Sequence, residues 1–133
     1  MRCVLALLVL TACKVGEDSP DAFDPQAPRI RAMIDPPTIA PGGTFVLSVT
    51  VDNFTLVPPV GGAPNEADRG HYHVYLDNLP NYLASDSASQ RNVTVASVIE
   101  LGDHRIKVQL ANHDHTDREP AVFTLLSLEC LDD

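Results

Sequence analysis

The stretch Thr44–Asp52, TFVLSVTVD, constrains this chain more than any other. Phe45, Leu47, Val49 and Val51 recur at every second position, with polar or small residues mostly between them. Side chains two apart share a face only in extended backbone, so this stretch reads as a strand with one face on a core. The same alternation returns in residues 29–35 (Ile30, Ala32, Ile34), 71–77 (Tyr72, Val74, Leu76) and 105–110 (Ile106, Val108, Leu110). Residues 93–99 and 122–128 supply further strands, and Tyr82-Leu83 an edge strand. No segment holds a helical period over ten residues, and no repeat of twenty to fifty residues appears. Pro36-Pro37, Pro41-Gly42-Gly43 and Gly102-Asp103 punctuate the strands with turn chemistry.

About seven short strands within roughly a hundred residues predict an all-β, two-sheet sandwich of immunoglobulin-like type. The chain has 133 residues, no Trp and few aromatics, so one domain with a core of Val, Leu and Ile is expected. Residues 53–69, rich in Pro, Gly and Asn, form a connection long enough to be functional. The net charge of −9 repels phosphate backbones and argues against nucleic acid as a partner. The sequence carries no G-x-S-x-G elbow, H-E-x-x-H helix, phosphate loop or Cys-x-x-Cys, and places no carboxylates as an acid/base pair.

At the N-terminus, Met1-Arg2 precedes the apolar run Cys3–Leu10, CVLALLVL, which is too short for a spanning helix but suits a signal-peptide core. Leu10-Thr11-Ala12-Cys13 resembles the bacterial lipobox. The resemblance implies removal of residues 1–12 and acylation of Cys13; an ordinary signal peptide is the alternative. Residues 13–28 then form a lipidated, acidic tether, and residues 29–133 the domain. The bilayer becomes a partner through Cys13, and the cell envelope the location. Lys14, in place of the aspartate that retains lipoproteins at the inner membrane of enteric bacteria, points to the outer membrane. Of three cysteines, Cys130 is left alone in an apolar run, where it reads as a core filler.

All five histidines fall in three places: His71 and His73, His104, and His113 and His115. Because Tyr72, Val74 and Leu76 point to the core, His71 and His73 share the outer face. Continuing the alternation of Ile106, Val108 and Leu110 puts His113 and His115 on that face too. If the two strands are antiparallel neighbours, the start of one lies beside the end of the other, and both His-x-His pairs converge at one end of one sheet. Imidazoles so placed suit zinc or copper(II), with Asp77 and Asp114 as acid ligands or outer-shell partners. The competing reading has these side chains capping backbone in the turn NHDHT, residues 112–116. His104, following Gly102, is assigned to tying down a corner of the sandwich.

The motifs Gly70-His71-Tyr72-His73-Val74-Tyr75-Leu76-Asp77, Gly102-Asp103-His104 and Asn112-His113-Asp114-His115-Thr116 resemble a group of bacterial exported modules of unassigned function. Those modules carry a G-H-x-H-x-Y-x-D strand and a later N-x-D-H motif in an immunoglobulin-like sandwich. The resemblance spans about residues 29–129 and implies that the recurring histidine of the second motif is His115, with His113 an extra. Three functions stand. The first is a non-catalytic surface or structural module that meets an envelope protein partner. The alternative is a copper- or zinc-binding protein using His71, His73, His113 and His115. The third, an enzyme built on such a metal, has less in its favour than the non-enzymatic readings.

Overall fold

The alternation in Thr44–Asp52 is realised as one strand of a two-sheet β-sandwich. The computed structural model describes residues 24–132. The expected signal segment 1–12, the acylated Cys13 and the first part of the tether lie outside the described residues. The elements are β1 (Arg29–Asp35), β2 (Thr38–Ile39), β3 (Thr44–Asp52), β4 (Thr55–Leu56) and β5 (Arg69–Leu76). They continue with β6 (Ala84–Asp86), β7 (Gln90–Thr94), β8 (Gly102–Ala111) and β9 (Phe123–Cys130). One sheet has the order β1-β3-β7, the other β2-β9-β8-β5-β4, with β6 also paired to β5. There is no helix among the described residues.

The inward faces follow the period-two pattern. Phe45, Leu47 and Val49 from β3 meet Tyr72, Val74 and Leu76 from β5 and Ile106, Val108 and Leu110 from β8 in one core. Cys130 is fully buried at the end of β9. The strands β1 and β3 have the bounds read from sequence, β5, β8 and β9 differ from it at their ends, and three features differ more. The strand expected at 93–99 ends at Thr94, because its ladder to β3 runs from Gln90 to Thr94 opposite Ser48 to Thr44. Beyond it Val95 donates to the Gly43 carbonyl, and Ile99 closes a turn onto Ala96. The edge strand expected at 82–83 lies at Ala84–Asp86, paired with Val74–Tyr72. Pro36-Pro37 does end β1, yet the chain crosses to the other sheet as β2, parallel to Glu129-Cys130. A two-residue strand has no period to read.

The connection 53–69 is anchored at both ends. Asn53, in the left-handed region at φ 54°, donates to the carbonyls of Pro25 and Ala27 and so fixes the start of the domain against the end of β3. Thr55-Leu56 pairs in parallel with Arg69-Gly70. The Arg118 guanidinium donates to the Glu66 and Ala67 carbonyls and lies over the Phe54 ring at 5.0 Å, clipping this connection to the β8–β9 turn.

Among the described glycines, Gly70 lies closest to another backbone. A Cβ there would run into the Ala111 carbonyl oxygen and touch the Phe54 ring. Gly70→Ala is therefore expected to destabilise the chain by roughly 1–3 kcal/mol through overpacking. Gly61→Ala, where a Cβ meets nothing, serves as the control. Urea unfolding checks both, and equal midpoints would refute the close-approach argument.

Candidate metal centre

The β5–β8 ladder is antiparallel, with His71 opposite Ala111 and His73 opposite Gln109. The start of β5 thus lies beside the end of β8, and side chains two apart on β5 project together. His71 and His73 lie on the face away from Tyr72. That face was expected to be solvent-facing, and here it is not: the two rings are 0% and 1% exposed. Tyr82 stacks on His73 with centroids 4.3 Å apart, and the His115 ring packs against both histidines.

The alternation extrapolated along β8 stops at Ala111. Asn112 donates its N–H to the Thr116 carbonyl, His115 donates its N–H to the Asn112 carbonyl, and Ala111 bridges Asp117. Residues 112–117 are therefore a turn, not an extension of the strand. His115 sits in it at φ 65°, a conformation uncommon for a residue with a side chain. The turn folds the His115 ring back over β5, an approach that period two cannot reveal.

Three ring nitrogens result in close array. His71 Nε2 stands 3.0 Å from His73 Nε2 and 3.2 Å from His115 Nδ1, and His73 Nε2 stands 3.3 Å from His115 Nδ1. A tetrahedral ion with bonds of about 2.0–2.1 Å holds its ligand nitrogens roughly 3.3 Å apart. The three atoms thus have the spacing of one face of such a coordination shell.

The expected four-histidine set reduces to three. His113 is buried but stands outside the group, and its Nδ1 finds no partner among the described residues. Asp77 is also corrected as a partner of the cluster: it stands at the far end of β5, accepting from the Arg105 N–H and pairing with His104 Nδ1, both at 2.8 Å. Asp114 accepts from the Thr116 N–H and hydroxyl and so caps the turn. His104 bonds Asp77 through Nδ1 and the Glu100 carbonyl through Nε2, tying residues 100–104 to the end of β5. Tyr75, Tyr82 and Asp117 were not singled out from the sequence. Tyr75 stands two residues after His73, so the shared strand face was a signal for it; Tyr82 and Asp117 approach through loops and left none.

Burial first, then the neighbouring rings of His73, His115 and His113, pushes His71 down to about 4. Burial and His115 lower His73, with Asp117 acting against them. Both favour the neutral imidazole that a metal requires. Tyr75 is raised, by burial and then by Asp117 and Tyr82. His104 shifts the opposite way, raised by its bonds to Asp77 and Glu100. The chain matches no protein-family model, no curated protein and no solved structure.

An unfolded histidine takes up its proton near pH 6.5, whereas folded His71 does so only near 4. Between those values the unfolded state binds more protons, so acidification weakens folding. The His71 contribution to the stability of the metal-free chain should be full above about pH 6.5 and fall toward pH 4, by on the order of 3 kcal/mol. His104 contributes stability that is full below pH 6.5 and lost as pH rises through its raised value. Urea melts across this range should show the acid limb shrinking in His71→Gln. An undiminished limb would refute the assignment.

Proposed function

We propose that this chain is an exported, lipid-anchored module that binds a zinc or copper(II) ion through His71 Nε2, His73 Nε2 and His115 Nδ1. One observation carries the reading: three imidazole nitrogens stand 3.0–3.3 Å apart at a buried end of one sheet. Each neutral imidazole nitrogen is either bare or bears a hydrogen. Among three mutually adjacent nitrogens, two must be of the same kind and face each other unfavourably. A cation accepts all three lone pairs and removes that conflict.

Three nitrogen ligands leave a fourth position, as in exchangeable or catalytic zinc sites rather than closed structural ones. His115 is exposed while His71 and His73 are buried, so the ion is approached from the His115 side. The donor set is that of borderline metals; without a thiolate it does not select soft copper(I). Export and lipid anchoring rest on the run CVLALLVL and the lipobox resemblance at Cys13. Outer-membrane placement rests on Lys14. The immunoglobulin-like reading is supported by the pairing of β9-β8-β5 against β1-β3-β7. The role we propose is the non-catalytic one of holding or passing on the ion, with an envelope protein as the partner class.

Calorimetric titration of the chain with zinc(II) and copper(II) tests this. One ion per chain is expected. His73→Ala and His115→Ala should each lower affinity more than about 100-fold, beyond the roughly 10–100-fold that a lost outer-shell partner costs. His113→Ala should retain binding. Absence of binding, or a loss in His113→Ala equal to that in His115→Ala, would sink the three-histidine site.

A further inference from the structure

The ring of His73 is engaged on both of its nitrogens. Nε2 faces His71 and His115, while Nδ1 stands 3.3 Å from the Tyr75 hydroxyl. Tyr75 projects on the same face of β5, two residues on, and lines one surface hollow with the Asp117 carboxylate, which raises the hydroxyl's affinity for its proton. The Lys107 ammonium over the Tyr75 ring, 4.4 Å from its centroid, holds that ring in place from β8. His71 differs: its Nδ1 is buried with no partner among the described residues.

A carboxylate only accepts hydrogen bonds, whereas a phenol both donates and accepts. With Asp117 on one side, the Tyr75 hydrogen points to the carboxylate. The lone pair left on the phenolic oxygen then accepts a hydrogen from His73 Nδ1. A neutral imidazole carries only one such hydrogen, so Nε2 is left bare toward His71 and His115. We propose that Asp117 and Tyr75 are positioning residues that fix His73 in the Nδ1–H tautomer, presenting Nε2 as a preformed metal-binding lone pair. This rests on the three-histidine reading and adds to it two residues that touch no ion. It also assigns an order within the site. His73 is the preset ligand, while a hydrogen standing on His71 Nε2 or His115 Nδ1 must move to that ring's other nitrogen as the ion arrives. Outer-shell groups of this kind fix ring orientation and raise ligand basicity.

The test has two independent readouts on the full chain, with Tyr75→Phe and Asp117→Asn as variants. Imidazole 15N NMR of the metal-free protein reads the tautomer directly. His73 should be protonated on Nδ1 in the parent, and Tyr75→Phe should shift the hydrogen toward Nε2. Zinc(II) titration should show affinity falling about 10–100-fold in Tyr75→Phe, with a smaller loss in Asp117→Asn, while the NMR spectra of both variants keep the dispersion of the folded parent. An Nε2–H tautomer in the parent overturns the relay, and so does a tautomer indifferent to Tyr75→Phe. A changed tautomer with unchanged zinc affinity overturns its positioning role. If the parent takes up no zinc yet loses its Nδ1–H in Tyr75→Phe, the relay stands and the metal reading falls, so the two failures are distinguishable.

Discussion

Everything distinctive about this molecule depends on the antiparallel contact between β5 and β8, in which Gly70 lies so close to the Ala111 carbonyl that no side chain fits. That contact sets the register. With His71 opposite Ala111, the first histidine of β5 stands where β8 gives way to a turn, and the turn returns His115 over both β5 rings. A one-residue slip would move the histidines into the core and Tyr72 out of it. The core pattern and the imidazole cluster are therefore enforced together, by the same pairing.

Burying imidazoles at such a place is costly for a fold with no use for them. A buried polar atom without a partner costs about 1–3 kcal/mol, and His71 Nδ1 and His113 Nδ1 are both in that condition among the described residues. A valine or leucine on this face would pack without the penalty. The opposite end of the sheet offers the contrast: His104 has both ring nitrogens bonded, to Asp77 and Glu100, and its affinity for a proton is raised rather than suppressed. One sheet thus carries a satisfied histidine at one end and a strained group of them at the other. The difference in their hydrogen-bonding is what separates a corner from a candidate site.

The sandwich was legible wherever a strand is half-buried, because alternation between core and surface is written into β1, β3, β5 and β8. It was less legible in β7, where Val93 and Val95 suggested a later strand than the one that pairs, and not at all in β2, which is two residues long. The face shared by His71, His73 and Tyr75 could be read from period two. The arrival of His115 could not, since a left-handed residue in a turn obeys no period. The separation of Asp77 from the cluster was legible too, since a strand rising about 3.3 Å per residue carries Asp77 to the opposite end from His71. Chemistry carried on strands was visible in the sequence; chemistry completed by turns required coordinates.

The Asn53 side chain, bonded to the backbone of Pro25 and Ala27, gives the molecule a polarity. It pins the start of the domain where β3 ends, and that is the end of the sandwich at which β5 begins and β8 finishes. The other end carries exposed Leu79, Val98 and Leu101. The N-terminal edge of the described fold and its imidazole group therefore share one end of the sandwich, with these apolar side chains standing at the other.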